Sequence, residues 1–374
     1  MSCVQRIFTV CAYLVAMVFG EALAQASSSQ ESESPAPGEA RAAGVETAGT
    51  PKQVSVFFAT NRERVRVANP ETVFGGQRGE PAFGTCEVEF KVIPGLQGVA
   101  QKMPFYVPTE SSDQRIEVQV HPEAFWERLG SAMKATTSGD VVVFVHGYSY
   151  DFERACDRAA ETQRVLDGKA TVLMVTWPSN GRPTDYASDE KDLEWSVPFL
   201  QTVLRELSTR LGAENVQVLA HSLGSRGVVR AISELRNEGV AVPVVDQLVL
   251  LAPDLDSAGF LEEFADLEAL SGDITLYASS NDTPLKVSRK VNGSPRLGEA
   301  GEYLTVVDGM ETVDVTPAGR YQILGHEYFY YHPLVISDLL ELVTTGRGAA
   351  DRATPQPKSR DGLVYWEIVA EEEK

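Results

Sequence analysis

The sequence predicts an α/β fold: a mostly parallel sheet with helices packed on both faces. Three features carry this expectation. Runs of consecutive apolar residues, such as Val141 to Val145, Val172 to Val175 and Leu248 to Leu251, mark strands buried on both faces, as in a parallel sheet. Amphipathic stretches alternate with these runs, which places crossover helices between neighbouring parallel strands. The runs end in polar clusters, and in such sheets ligands sit beyond the carboxyl ends of the strands.

Residues 1–24 read as an export signal. Arg6 supplies the positive start, residues 7–19 are apolar except for Thr9, and Ala22-Leu23-Ala24 is an A-x-A cleavage site. The apolar run is short for a membrane-spanning helix, which disfavours an uncleaved anchor. The mature chain is therefore expected to begin at Gln25, in a periplasmic or extracellular space. Residues 25–50 are rich in Ser, Glu, Ala, Pro and Gly and read as a disordered linker. The folded domain is expected over 51–346, with a C-terminal tail over 347–374.

Residues 53–59 are strong β-formers and give the first strand. Residues 67–81 are polar and Gly-rich and read as a long loop. Residues 83–92 and 115–120 alternate with period two, as half-buried strands do. Residues 125–133 read as helix. The strand at 141–145 is followed by a helix with Phe152, Ala155, Cys156, Ala159 and Leu166 on one stripe, then a strand at 171–175. Residues 180–194 are polar and loop-like. Val197, Leu200, Leu204, Leu207 and Leu211 then recur at helical spacing. Strands are expected at 216–220, 247–251 and 273–278, the last clear one. A closing helix at 333–344 opens with Pro333 in its first turn. In the tail, 362–369 reads as an added edge strand or a surface-docked segment.

The stretch from Val216 to Leu235 organises the rest. A short apolar run reaches Ala220-His221-Ser222-Leu223-Gly224, and an amphipathic helix bearing Val228, Val229, Ile232 and Leu235 follows. Strand, sharp turn with serine at its tip, then helix is a nucleophile elbow. Ala220 stands where the G-x-S-x-G pattern has its first glycine. The next smallest residue is a mild departure at a turn where strand and helix approach closely. The bland alternative is a strand–helix junction in which Ser222 caps the helix.

A serine hydroxyl needs a base, and the base needs a carboxylate to fix its tautomer. In this topology the acid and then the histidine follow the serine. Of five histidines, His121 and His146 precede Ser222, and His221 lies inside the elbow. His332 precedes Pro333 at a helix start, which explains it structurally. His326 remains as the candidate base. The acid has two candidates, each at a strand end: Asp282, which is favoured, and Asp254. Either also suits turn chemistry, since aspartate caps helices and closes turns. Asp256 is a distant third, and Glu327 is too near His326 in sequence to orient it. The oxyanion needs donors. Leu223 N–H, after the nucleophile, is one; Tyr148 N–H, in His146-Gly147-Tyr148 after the 141–145 strand, is the other.

With these residues placed, the chain resembles the bacterial DUF900 group of the α/β-hydrolase superfamily. The matching pieces are Val56-Phe57-Phe58-Ala59-Thr60-Asn61-Arg62, Phe144-Val145-His146-Gly147-Tyr148 with Phe152, and Thr176-Trp177-Pro178-Ser179 with Tyr186 and Asp189. Further pieces are Leu219-Ala220-His221-Ser222-Leu223-Gly224, Ala252-Pro253-Asp254, Tyr277-Ala278-Ser279-Ser280-Asn281-Asp282, and Gly325-His326 with Tyr328. The resemblance runs from about residue 52 to 344. It implies an α/β-hydrolase fold and a Ser222–Asp282–His326 triad, and it makes Ala220 a family trait. It implies little about substrate, and gives Arg62, Trp177, Tyr186 and Asp189 no role.

The formal net charge of −20 disfavours nucleic acid and anionic membrane surfaces as partners. Of four cysteines, Cys3 and Cys11 leave with the signal. Cys86 and Cys156 can pair in an oxidising space, but a buried free thiol explains Cys156 equally well. No C-x-x-C or His/Cys zinc spacing occurs, so neither metal nor cofactor is expected. The reading that follows is an exported serine hydrolase acting on a small-molecule or lipid-like ester, with no transmembrane segment in the mature chain. A binding or envelope-associated module without turnover is the alternative. A membrane-anchored lipase would need a retained signal or an apolar lid, and no long apolar lid segment is present in the sequence.

Overall fold

The computed structural model describes residues 53–65, 73–92, 110–119, 121–320 and 324–370. The expected export signal and linker lie outside the described residues. The elements, in order, are β1 (Gln53–Arg64), β2 (Phe74–Val92), β3 (Glu110–Gln119), α1 (Pro122–Ala135), β4 (Val141–Val145), α2 (Phe152–Leu166), β5 (Thr171–Thr176) and α3 (Tyr186–Leu211). Then come β6 (Val216–His221), α4 (Leu223–Asn237), β7 (Val245–Leu251), α5 (Ser257–Leu270), β8 (Ser271–Ala278), α6 (Thr283–Asn292) and β9 (Glu311–Asp314). The chain closes with α7 (Tyr328–Tyr331), α8 (Pro333–Thr345), β10 (Gln356–Arg360) and β11 (Leu363–Glu367).

Among the described residues these strands form one sheet in the order β10-β11-β9-β8-β7-β6-β4-β5-β1-β2-β3. From β1 to β11 every neighbour is parallel. β2, β3 and β10 are antiparallel additions at the two edges. The expected α/β architecture is what the chain adopts. Alternate residues of β4 face opposite ways: Val141, Val143 and Val145 join a core with α1, α3, α4 and α5, whereas Val142 and Phe144 join one with α2, α6 and α8. The continuous apolar runs are thus explained by burial on both faces. Among the described residues no helix is long and apolar enough to cross a membrane.

Several segments differ from expectation. β2 starts at Phe74, inside the expected loop. Its first half pairs with β1 past two register irregularities, which break the alternation that marks a strand in sequence. α3 starts at Tyr186, so nine of the fifteen residues in the expected 180–194 loop are helical. The inward residue of its first turn is the charged Asp189, and the first buried apolar residue is Leu193, so the helical stripe begins late. α5 leaves little helical stripe in the sequence, because it buries only Phe260, Leu267 and Leu270. β9 follows the expected last strand but has only four residues. The tail adds two strands rather than one. β11 pairs with β9 and β10 forms the edge. Arg352 there has a fully buried side chain, paired with Asp338 at 2.8 Å. Cys86 of β2 and Cys156 of α2 are joined by a disulfide, with Cα atoms 6.5 Å apart, so Cys156 is not a free thiol.

Candidate active site

β6 is buried at every position and ends one residue before α4 begins. The single residue between them is Ser222, at φ 53° and ψ −120°. A serine seldom adopts this conformation, and such strain gathers at functional sites. Three backbone bonds hold it. Ser222 N donates to Leu251 O at 2.9 Å, while Ser222 O accepts from Ser225 N and Asp254 N, each at 3.1 Å. The turn admits little bulk after the serine: a Cβ on Gly224 would lie 2.2 Å from His146 O. Ala220 is fully buried, and its carbonyl accepts from Ser225 Oγ at 2.7 Å. The Ser222 side chain makes no capping bond to α4, so the helix-cap alternative does not describe it.

His326 Nε2 lies 3.0 Å from Ser222 Oγ, and its Nδ1 lies 2.7 Å from Asp282 Oδ2. A carboxylate only accepts, so the proton sits on Nδ1, and Nε2 is left to accept from the serine hydroxyl. The three residues come from the ends of β6 and β8 and from the segment before α7. Thr283 N donates to Leu324 O at 3.0 Å and ties the last two together. Asp282 Oδ1 meanwhile accepts from Leu285 N at 2.9 Å, capping α6. Its turn chemistry and its contact with His326 therefore use different oxygens. Burial raises the Asp282 carboxyl, and the His326 interaction only partly opposes this. For His326, burial acts downward, but the charge and hydrogen bond of Asp282 reverse it and the net shift is upward.

The other candidates lie elsewhere. Asp254 is buried with Oδ1 on Arg296 Nε at 2.7 Å and Ser288 Oγ at 2.6 Å, and Oδ2 on Tyr186 Oη at 2.6 Å. Burial would raise its carboxyl, but Arg296 and Arg226 hold it below the usual range. Asp256 caps α5 through Gly259 N at 2.7 Å. Glu327 engages Tyr150, Arg154 and Arg158; burial is outweighed by the two arginines, and its carboxyl falls to about 2. His221 is buried between the rings of His326 and Phe329, with neither ring nitrogen hydrogen-bonded, and burial pushes its imidazole well down. His332 Nε2 bonds Ala318 O at 2.9 Å.

The expected oxyanion loop lies against the serine. A Cβ on Gly147 would sit 2.9 Å from Ser222 Cβ, so only glycine lets the loop approach this closely. Leu223 is the first residue of α4, where backbone N–H groups lack helical acceptors. Sequence reasoning missed Arg296, the partner that occupies Asp254, because nothing in its spacing marks a buried arginine. It flagged Arg62, Trp177, Tyr186 and Asp189 only as motif members. Tyr186 is now placed on Asp254, and the other three lie beneath the 146–150 loop.

The family model for alpha/beta hydrolases of unknown function (DUF900) matches residues 121–344. An uncharacterized protein of Nostoc sp. is 35% identical over 63 residues, which are 17% of this chain and 16% of that protein. The match therefore spans about a sixth of that curated relative's length. Solved structures with detectable likeness include the RedJ thioesterase of the prodiginine biosynthetic pathway in Streptomyces coelicolor, at 16% identity, 54% of this chain, 79% of that chain and TM-score 0.25. A bacterial heroin esterase is also similar, at 16% identity, 62% of this chain, 66% of that chain and TM-score 0.25.

Proposed function

The chain belongs to the DUF900 family of alpha/beta hydrolases, and we propose that it is an exported serine hydrolase that cleaves carboxylic esters through an acyl-enzyme on Ser222. The carrying observation is the hydrogen-bonded row Ser222 Oγ, His326, Asp282, with steps of 3.0 and 2.7 Å, beginning at a strained elbow.

Ser222 Oγ attacks the ester carbonyl carbon while its proton passes to His326 Nε2. Asp282 stabilises the imidazolium and does not itself take the proton. The carbonyl oxygen becomes an oxyanion and accepts from Tyr148 and Leu223 N–H. Collapse expels the alkoxide, which takes the proton from His326 Nε2 and leaves as alcohol. Water then enters, gives a proton to His326, and attacks the acyl-enzyme. The second collapse returns the proton to Ser222 Oγ and releases the acid.

Export is supported by the signal-like 1–24 segment and by the Cys86–Cys156 disulfide, since such bonds persist in oxidising compartments. The mature protein is expected in the periplasmic or secreted fraction with Gln25 at its N-terminus. Recovery of a full-length chain in the cytosol would contradict this.

p-Nitrophenyl esters of graded chain length test the activity. Turnover by the mature chain is expected, with a loss on the order of 10⁶-fold in kcat for Ser222→Ala. Turnover retained by Ser222→Ala would remove the proposed nucleophile.

A further inference from the structure

The proton relay uses none of Arg62, Trp177 or Asp189, although each lies in a motif singled out in the sequence. All three are buried. The structure gathers them beneath the loop from His146 to Tyr150, which joins β4 to α2 and carries Tyr148.

Tyr148 lies between two peptide planes. A trans peptide points its C=O and N–H in opposite directions, so holding one aims the other. Gly147 O is held by His146 Nδ1 at 2.8 Å, which directs Tyr148 N–H to the far side of that plane. The next plane is held by its N–H, because Ser149 N donates to Asp189 Oδ2 at 2.9 Å. With both planes fixed, the backbone of Tyr148 has little freedom. Ser149 itself sits at φ 61°, a left-handed conformation that serine keeps only when its surroundings impose it.

The holding groups are braced in turn. Thr176 Oγ1 accepts from Arg62 Nε at 2.9 Å and donates to His146 Nε2 at 2.8 Å, which leaves the His146 proton on Nδ1 for Gly147 O. Trp177 stacks on the His146 ring at 4.9 Å and donates Nε1–H to His146 O at 3.2 Å. Arg62 also donates to Tyr150 O at 2.8 Å and Ser179 O at 2.6 Å. Ser179 Oγ then donates to the same Asp189 oxygen at 2.8 Å. The second Asp189 oxygen is buried with no hydrogen-bond partner. Burial raises the carboxyl to about 6, so near neutral pH the chain keeps an anion that its surroundings disfavour.

We propose that Asp189 is a positioning residue for oxyanion stabilisation: its carboxylate holds Ser149 N–H and so aims Tyr148 N–H, while His146 and Trp177 fix the other side of Tyr148. This rests on the serine-hydrolase reading and deepens it with a residue outside the proton relay.

The test compares wild type, Asp189→Leu and Trp177→Phe with a p-nitrophenyl ester and with a trifluoromethyl ketone, which forms a tetrahedral serine adduct. Asparagine would keep an amide oxygen able to accept from Ser149 N–H, whereas leucine offers no acceptor at similar size. For Asp189→Leu, kcat is expected to fall about a hundredfold at unchanged KM, and ketone affinity to weaken by a similar factor, because the donor serves the tetrahedral species. Trp177→Phe keeps an aromatic ring against His146 and loses the N–H together with part of a fully buried indole; it carries the test if Asp189→Leu does not fold, and its kcat and ketone affinity are each expected to fall about tenfold.

Ser222→Ala controls the premise. Where wild type turns over the ester and Ser222→Ala does not, unchanged kcat and ketone affinity in the two variants overturn the positioning role alone. A raised KM with a lowered melting temperature and no selective loss of ketone affinity also overturns it, because that pattern reports general loosening. Turnover retained by Ser222→Ala overturns premise and proposal together.

Discussion

Asp254 and Asp282 follow adjacent parallel strands, and both are buried carboxylates, yet they spend their oxygens differently. Asp254 lies beyond β7 with both oxygens occupied by Arg296, Ser288 and Tyr186. Asp282 lies beyond β8 and gives one oxygen to its own helix, leaving the other for His326. Their shifts run in opposite directions, upward for Asp282, where burial dominates, and downward for Asp254, where two arginines outweigh burial. Asp254 is an ionised carboxylate locked into an ion pair with Arg296, whereas Asp282 keeps one oxygen on His326, as the proposed proton relay requires. Asp254 still serves the elbow, but through its backbone, where its N–H holds Ser222 O.

The largest test of this contrast is Asp282→Asn. Losing the carboxylate frees His326 to adopt the wrong tautomer, and kcat is expected to fall about 10⁴-fold with little change in melting temperature. Steady-state ester kinetics check this, and a fall of less than tenfold would reassign the acid. Asp254→Asn is expected to show the reverse. It leaves Arg296 buried without its charge partner, at a cost of about 3–5 kcal/mol in denaturant unfolding, while kcat per folded molecule stays near wild type.

The pH profiles sharpen the contrast further. His326 titrates above its ordinary 6.5, and only the neutral ring accepts the serine proton, so kcat/KM is expected to rise with pH through a midpoint above 6.5. Asp282→Asn should move that midpoint down. For stability, the lowered Asp254 carboxyl contributes above its unfolded value of about 3.8, and that contribution is lost as pH falls through the lower folded value. The raised Asp282 carboxyl contributes in acid and loses its contribution as pH rises through its folded value. Thermal melts from acid to neutral pH should therefore show a flatter acid limb in Asp254→Asn but not in Asp282→Asn. The smallest expected effect is that of Tyr186→Phe, which removes one donor from the ionised Asp254 and should cost about 1.5–3 kcal/mol with kcat unchanged.

Much of this architecture was legible in the chain. Apolar runs such as Val141 to Val145 have one explanation, burial on both faces, and the order of elbow, strand-end acids and late histidine follows from the topology. The geometry then separated what the sequence left open. Asp254 and Asp282 look alike in sequence because the difference lies in Arg296, 42 residues from Asp254, and in His326, 44 residues from Asp282. The first half of β2 was hidden by glycines and register irregularities. The first turn of α3 was hidden because Asp189 points a charge into the protein where periodicity expects an apolar residue. That position now has the clearest reason among the unassigned motif residues, since its carboxylate holds Ser149 N–H.

Everything proposed for this site rests on Ser222 as a nucleophile activated by His326. Its most direct measurement is intact-protein and peptide mass spectrometry after reaction with a fluorophosphonate probe. One adduct per chain, mapped to Ser222, absent from Ser222→Ala and strongly slowed in His326→Ala, is the expected result. An adduct that persists in Ser222→Ala, or a folded wild-type chain that takes up no probe, would contradict the account and leave a hydrolase fold serving as a binding module.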